Sequence, residues 1–427
     1  MTKDPHRILI LGGGVAGLEL ATRLSALPRF QVTLIDREPA HVWKPMLHTI
    51  AAGTRDVQQQ QTPYLGQAAR CGFAFHPGEV RGIDRAACAV ELAPILSPDL
   101  GEVVPARRIG FDTLVVALGS RANDFGTEGV AEHCDTIDSR VQALAFQEQL
   151  RLRLIRSTVD QSLLTIAIVG AGATGVELSA ELVQMASHAE AYGARRASDR
   201  LRVVLLESGP AILAAFPPRV SESALRRLHD LGIEVRTGAR VARATAEGFV
   251  LADGETVAAD MRVWAAGVQA PAVIAAMEGI ALSRNGQIVV DGNLRSISDP
   301  AILALGDVSS LQPEGWDRPL PPTAQVAHQQ AGYLARHLPR LIAGTAVPPF
   351  RFRDAGALVS LGGYGAYGSL GKFGLFRGGF IQGRIARLGH LMLYRSHQAR
   401  LHGFWRGSLI WLVDALNGRL RPRIRLG

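Results

Sequence analysis

The sequence predicts an α/β fold with two doubly wound parallel sheets, and three observations carry that expectation. A Gly-rich turn between an apolar run and a helix-like stretch occurs twice, as "LGGGVAGLELATRL" from Leu11 and "VGAGATGVELSAEL" from Val169. Each is followed by a second apolar run that ends in an acid, "FQVTLID" at Asp36 and "LRVVLLE" at Glu207. Both halves then continue through hairpin-like stretches to a buried run ending at glycine, "TLVVALG" at Gly119 and "VWAAG" at Gly267.

In each half "RILILG" or "LTIAIVG" reads as the first strand. The turn glycines follow it, a helix follows the turn, and a second strand ends in the acid. This is the strand–turn–helix–strand–acid order of a Rossmann-like dinucleotide-binding unit. Gly12, Gly14 and Gly17 in the first half, and Gly170, Gly172 and Gly175 in the second, have the spacing it requires. The glycines allow a tight turn, close approach of the backbone to a pyrophosphate, and contact between helix and strand. The helix N-terminus offers unpaired N–H groups and partial positive charge to the phosphates. The acid comes 24 residues after the first glycine in one unit and 37 after it in the other. "MASHAEAYGARRASDR" from Met185 accounts for the delay as an extended helix end and loop. Two units imply two dinucleotides, and one flavin with one nicotinamide makes a hydride path.

Length and composition allow two or three domains in a chain of 427 residues, 47% of them apolar. The apolar runs are short. "SLIWLV" from Ser408 falls far below the roughly 20 residues of a spanning helix. Gly12 to Gly14 follow "RILIL" at once, so no signal-peptide core is expected and the chain should remain on the cytoplasmic side. Cys71, Cys88 and Cys134 form no Cys-x-x-Cys pair and suggest scattered structural thiols, with neither a disulfide framework nor a metal site. Charge is uneven: Arg351 to the end carries a net +11 and the first 350 residues a net −3. A basic tail points to an anionic surface, membrane or nucleic acid.

With both turns, "LVVALGS" and "AILALGDVSS" in order, the chain resembles the two-dinucleotide-domain flavoproteins of glutathione-reductase-like architecture. More narrowly it resembles the bacterial type II NADH dehydrogenases, which are single-subunit NADH:quinone oxidoreductases. "HVWKPMLHTIAAGT", "ALGSRANDFGTEGV", "VWAAGVQAP", "PPTAQVAHQQA" and "GRIARLGHLMLYRSHQARLHG" carry this closer likeness, which covers nearly the whole chain. The flavin assignment and the quinone acceptor come from the resemblance. It implies FAD on the first unit, with Gly12, Gly14, Gly17, Asp36, Lys44, Val80, Gly119, Asp307 and Ala324 as cofactor-binding residues. It implies NADH on the second, at Gly170, Gly172, Gly175 and Glu207. Glu207 would accept from the ribose hydroxyls and disfavour a 2′-phosphate.

Glu177 and Glu181 stand four apart on one helix face, and their apolar neighbours leave open whether that face is solvated or functional. The resemblance places the first near nicotinamide and flavin, so Glu177 is expected to be catalytic and Glu181 to lie at the surface. In "PPTAQVAHQQAGYLARHL", Thr323 can cap a helix whose N-terminal dipole would favour a reduced flavin. Ala324 and Ala327 would keep that face thin, while Gln325 and Gln329 project from one stripe. On residues alone this is equally a capped amphipathic helix; the resemblance makes Gln325 and Gln329 catalytic candidates beside the quinone. His328 reads equally as a proton source for the quinone or as an interhelical or exposed histidine.

From Arg384 onward arginines alternate with large apolar residues, and Trp405, Leu409, Leu412 and Leu416 share one helical face. That pattern describes a helix lying in a membrane interface. The expected organisation is a flavin domain of 1–125 plus 285–345, an inserted NADH domain of 126–284, and a membrane-docking tail of 346–427. The expected partners are NADH, membrane quinone and an anionic lipid surface, without nucleic acid; homodimer assembly is left open. The expected place is the cytoplasmic face of the inner membrane, peripheral and without proton pumping. Sulfide:quinone oxidoreductases and cysteine-based flavoenzymes fit poorly, because no cysteine follows Cys134 and "HVWKPMLHTIAAG" contains none. The remaining alternatives are a soluble NADH-dependent reductase of a protein electron carrier and a redox-gated nucleic-acid-binding flavoprotein.

Overall fold

The first Gly-rich turn joins β1 (His6–Leu11) to α1 (Val15–Leu24), and the chain continues through β2 (Phe30–Asp36), α2 (Leu47–Ala51), β3 (Ala74–Pro77) and β4 (Thr113–Val116). The second part runs α3 (Arg140–Asp160), β5 (Leu164–Val169), α4 (Ala173–Ala191), β6 (Leu201–Leu206), α5 (Pro218–Asp230), β7 (Glu234–Arg236) and β8 (Met261–Trp264). Then follow β9 (Ile302–Ala304), α6 (Ala324–Ile342), β10 (Gly356–Ser360), β11 (Ala366–Leu370), α7 (Arg384–His402) and α8 (Phe404–Leu420). This computed structural model describes residues 4–194, 196–370 and 380–420. Lys372, Arg377, Arg421, Arg423 and Arg425 of the basic tail lie outside the described residues.

The chain divides into two units. The first comprises Met1–Trp43, Gln61–Arg121 and Val268–Phe352. The second comprises Lys44–Gln60, Ala122–Gly267 and Arg353–Gly427. In chain order the second interrupts the first. Lys44–Gln60 and the tail group with it. The physical reason lies in α4, whose buried acids both segments cover.

The first unit holds a five-stranded parallel sheet in the order β9-β4-β1-β2-β3, with Ile10 opposite Leu34 on one side and Val115 on the other. The second holds a four-stranded parallel sheet in the order β7-β6-β5-β8, with Ile168 opposite Leu205 and Val263. Strands of parallel sheets are buried on both faces, so they read as unbroken apolar runs. Ile8 to Leu11 and Ile166 to Ile168 are all at most 1% exposed. Each fully buried Leu or Ile contributes about 1.5–3 kcal/mol. The hairpin-like stretches form small antiparallel sheets, Val80–Asp84 with Ala89–Leu92 and Arg107–Gly110, and Val241–Thr245 with Gly248–Leu251 and Thr256–Ala258. α4 runs to Ala191 before β6 begins at Leu201, which is the delay read from the 37-residue spacing.

Two helices end the described chain. Arg395 of α7 pairs with Asp414 of α8 at 3.0 Å, and its guanidinium lies over the Trp411 ring. Among the described residues no helix is long and apolar enough to cross a membrane.

Candidate functional site

Both Gly-rich turns are built on one plan. Gly12 has φ +95° and Gly170 φ +102°, a region that favours glycine. A Cβ on Gly12 would overlap the Ala117 carbonyl, and one on Gly170 would lie 2.7 Å from the Ala266 nitrogen. A Cβ on Gly17 would overlap the Gly12 carbonyl oxygen, and one on Gly175 the Gly170 oxygen. No side chain therefore fits between each helix and its turn. The residue after each first glycine donates its N–H to the acid: Gly13 to Asp36 Oδ2 at 2.6 Å, and Ala171 to Glu207 Oε2 at 2.9 Å. A second backbone N–H holds the other oxygen, from Glu38 to Asp36 at 2.8 Å and from Gly209 to Glu207 at 2.8 Å. Each carboxylate is thus locked beside its turn with lone pairs left to accept from ribose hydroxyls. Burial pushes the Asp36 carboxyl above its ordinary value, and the two backbone N–H groups oppose that shift. In front of Gly14 and Gly172, which cap α1 and α4, a Cβ would meet nothing within 4 Å. That open space before the helix N-termini fits a pyrophosphate in both cradles.

The first cradle has supports that sequence reading missed. Tyr64 donates its hydroxyl to the Gly13 carbonyl at 2.9 Å, and His41 Nδ1 donates to the same oxygen at 2.9 Å. Both are buried, and the Tyr64 ring fills the space where a Gly13 side chain would go. Neither belongs to the glycine pattern, so only tertiary contact reveals them. Gly78 donates to the Asp36 carbonyl at 2.9 Å, which sets Val80 just beyond the end of β2; the Val80 side chain is buried.

Asp307 follows β9, as "LALGD" predicts. Ser120, next to Gly119, donates to Asp307 Oδ2 at 2.7 Å. Gln287 donates to the Asp307 carbonyl at 2.9 Å, and Gln330 Oε1 accepts the Gly306 N–H at 2.6 Å. Gln330 is fully buried; the motif directed attention to its neighbour Gln329 and missed it. A Cβ at Gly306 would lie 3.5 Å from Ala327 and 3.9 Å from Ala16, so the Asp307 turn, α6 and α1 converge. Thr323 caps α6 by accepting the Val326 N–H at 3.3 Å, as expected. Ala324, Gln325 and Gln329 are half-buried on its first turns. His328 takes the interhelical role: its Nδ1 donates to Glu19 Oε2 at 2.5 Å, and Arg23 pairs with the other oxygen at 2.7 Å. Lys44 groups with the second unit, where its ammonium lies 3.6 Å from Asp138.

In the second unit Glu177 and Glu181 are both buried, at 6% exposure. For Glu181 this corrects the expected surface position. Thr54, just beyond α2, donates to Glu181 Oε2 at 2.5 Å, and that cover arrives from far away in sequence. Glu177 Oε1 accepts the Ser360 N–H at 2.9 Å, and His48 Nδ1 stands 3.6 Å from its other oxygen. Burial pushes the Glu177 carboxyl up to about 8; the Glu181 charge adds to the shift and the Ser360 N–H opposes it. At neutral pH Glu177 therefore carries a proton in a buried site, where a carboxyl can donate a hydrogen bond or exchange that proton. Among the described residues no group of His, Cys, Asp and Glu gathers as a metal site, and Cys71, Cys88 and Cys134 are free thiols.

Comparison with known proteins places the chain in a family. The model of the pyridine nucleotide-disulphide oxidoreductase family matches residues 6–331. The type II NADH:quinone oxidoreductase of Haemophilus influenzae is 38% identical over 98% of this chain and 99% of its own. That of Staphylococcus aureus is 30% identical over 85% of this chain and 89% of its own. Among solved structures, NDH2 from Plasmodium falciparum in complex with NADH covers 98% of this chain and 99% of its own, with TM-score 0.83 and 18% identity. The sulfide:quinone oxidoreductase of Aquifex aeolicus covers 98% and 96%, with TM-score 0.73 and 19% identity. Both structural likenesses speak for the fold.

Proposed function

Because the chain belongs to the pyridine nucleotide-disulphide oxidoreductase family and, within it, to the type II NADH:quinone oxidoreductases, we propose the division of labour among its residues that follows. The protein is an FAD-dependent NADH:quinone oxidoreductase. FAD supplies two-electron redox chemistry between NADH and the quinone. The observation that carries the assignment of sites is the repeated contact from turn N–H to acid, Gly13 to Asp36 and Ala171 to Glu207, in two cradles with open space before a helix N-terminus.

Gly12, Gly14 and Gly17 hold the FAD pyrophosphate, Asp36 its ribose, and Asp307 its ribityl hydroxyls. Val80, Gly119 and Ala324 line the same cofactor, and the family resemblance adds Lys44 to its binding residues. Gly170, Gly172 and Gly175 hold NADH, and Glu207 accepts from its ribose while repelling a 2′-phosphate. The N-terminal dipole of α6 favours negative charge beside it. Gln325 and Gln329 present amides to the quinone oxygens. Replacing Gln329 by Leu is expected to raise the quinone KM about fivefold to tenfold, as loss of one hydrogen bond implies, with the NADH KM unchanged. Steady-state kinetics with a short-chain quinone checks this; an unchanged quinone KM removes the quinone from this stripe. The proposed function as a whole is tested by anaerobic NADH oxidation with and without that quinone. Turnover that needs the quinone supports it. Turnover only with a protein electron carrier overturns it.

The tail holds the enzyme against the membrane as a peripheral protein, on the cytoplasmic side. Supporting this, Trp405 is 84% exposed and Leu409 62%, with Leu412 and Leu416 on the same face also exposed. The Arg395–Asp414 pair clasps α8 to α7 without using that apolar face. Large exposed apolar patches of this kind mark interaction surfaces, and arginines around aromatic residues suit an anionic leaflet. Replacing Trp405, Leu409 and Leu412 by Ser is expected to release the protein from anionic vesicles in sedimentation while short-chain quinone turnover persists. Equal sedimentation of variant and wild type excludes this face as the anchor.

A further inference from the structure

The segment Gly356–Leu370 belongs by sequence to the docking tail, yet its hairpin makes contacts that docking does not require. β10 and β11 pair antiparallel with Ser360 opposite Ala366, and the turn between them packs on α4. Ser360 donates its backbone N–H to Glu177 Oε1 at 2.9 Å, and Gly363 donates its own to Gln184 Oε1. Gly362, with φ +57°, lies between them. A Cβ there would overlap Gln184 Oε1 and stand 2.9 Å from Glu181 Oε1. Residues 177, 181 and 184 form one face over two turns of helix, and a single hairpin donates to the first and the last of them. On the other side α2 and the residue beyond it close the cage, with His48 beside Glu177 and Thr54 bonded to Glu181.

We propose that this hairpin positions the Glu177 carboxyl: Ser360 and the Gly362–Gly363 turn are positioning residues of the reaction that act through Glu177. The inference rests on a catalytic role for Glu177, the one that the family resemblance implies. It also gives the tail a second task beside membrane attachment.

The physical case is a balance. Burial and the neighbouring Glu181 both favour the neutral form of Glu177, while the Ser360 N–H favours the ionised one. A hydrogen bond to a charged acceptor is roughly twice as strong as a neutral one, so this N–H fixes the orientation of the carboxyl and eases its ionisation. Other polar and charged groups stand on the elements packed around it. α2 contributes His48 and α4 contributes Glu181. The hairpin turn contributes Tyr364, which bonds to Ser187 and has the Arg227 guanidinium of α5 over its ring. β5 carries no ionisable side chain, and Arg202 of β6 is paired with Glu234.

The experiment is a pH titration of the buried carboxyl in the holoenzyme by infrared difference spectroscopy with ¹³C-labelled glutamate. The Glu177 band is identified by its loss in Glu177→Gln. Ser360→Pro deletes the N–H, Gly362→Ala pushes the turn off Glu181 and Gln184, and Ser360→Ala retains the N–H as control. Both turn variants are expected to hold the proton about tenfold more tightly than wild type, with Ser360→Ala unchanged. The pH limb of kcat should move with the band while the NADH KM stays constant. A band that titrates identically in wild type and both turn variants overturns the inference. If Glu177→Gln leaves the pH limb of kcat intact, the role of Glu177 itself falls, which is a separate result. If both turn variants fail to fold, hydrogen exchange of peptide 356–364 decides. Protection lost in Glu177→Ala supports the clasp, and protection unchanged refutes it.

Discussion

Glu177→Gln is expected to lower NADH:quinone turnover about 10²-fold to 10⁴-fold, the range of a lost general acid or base, while FAD content stays at wild-type level. The amide keeps the volume and can still accept the Ser360 N–H, so the change isolates the proton. The wild-type carboxyl holds that proton below about pH 8 and releases it above. Activity that depends on the protonated form should fall through pH 8 in wild type, and the variant should lack that limb. Stability should follow the same group. Its folded value lies above the ordinary 4.5, so its contribution is full below about pH 4.5 and is lost as pH rises through 8. Between those limits the Tm of wild type should decline relative to that of the variant. Rapid kinetics across pH 6–9 and calorimetry at the same points check both. Parallel pH profiles for the two proteins would remove Glu177 from the proton chemistry.

Gly17→Ala and Gly175→Ala should separate the two cradles. Each adds one methyl group that overlaps a carbonyl oxygen of its own turn, Gly12 or Gly170, so helix and turn must move apart. Overpacking of this kind costs about 1–3 kcal/mol, and here it also displaces the N–H groups that would face a pyrophosphate. Gly17→Ala is expected to purify with little flavin. Gly175→Ala is expected to retain flavin and to bind NADH about 10-fold to 10²-fold more weakly. Flavin content and NADH titration together read the outcome. Loss of flavin in Gly175→Ala with normal NADH affinity would reverse the assignment of the two cradles.

Much of this design is local, and local features are legible. Strand, turn and acid fall within about forty residues, so "RILILG", "FQVTLID", "LTIAIVG" and "LRVVLLE" were readable as strands, with Asp36 ending β2 and Glu207 following β6. The cap at Thr323 and the long end of α4 are likewise consequences of neighbouring residues. Glu181 was misread because a helix of mixed polarity does not declare which face another segment will cover. Tyr64, His41 and Gln330 were missed for a related reason. A buried tyrosine or glutamine is not distinguished in sequence from an exposed one until its partner, the Gly13 carbonyl or the Gly306 N–H, comes into contact.

Two Gly-rich cradles, the acids Asp36 and Glu207, the capped helix carrying Gln325 and Gln329, and the basic aromatic tail are legible along the chain. These follow from short-range backbone geometry and hydrophobic period. Folding alone buries Glu177 enough to keep a proton at neutral pH, sets His48, Thr54 and Ser360 around its helix face, and lays the tail's hairpin on it. Desolvation depends on which distant segments exclude water from a group, and that is a property of the folded packing.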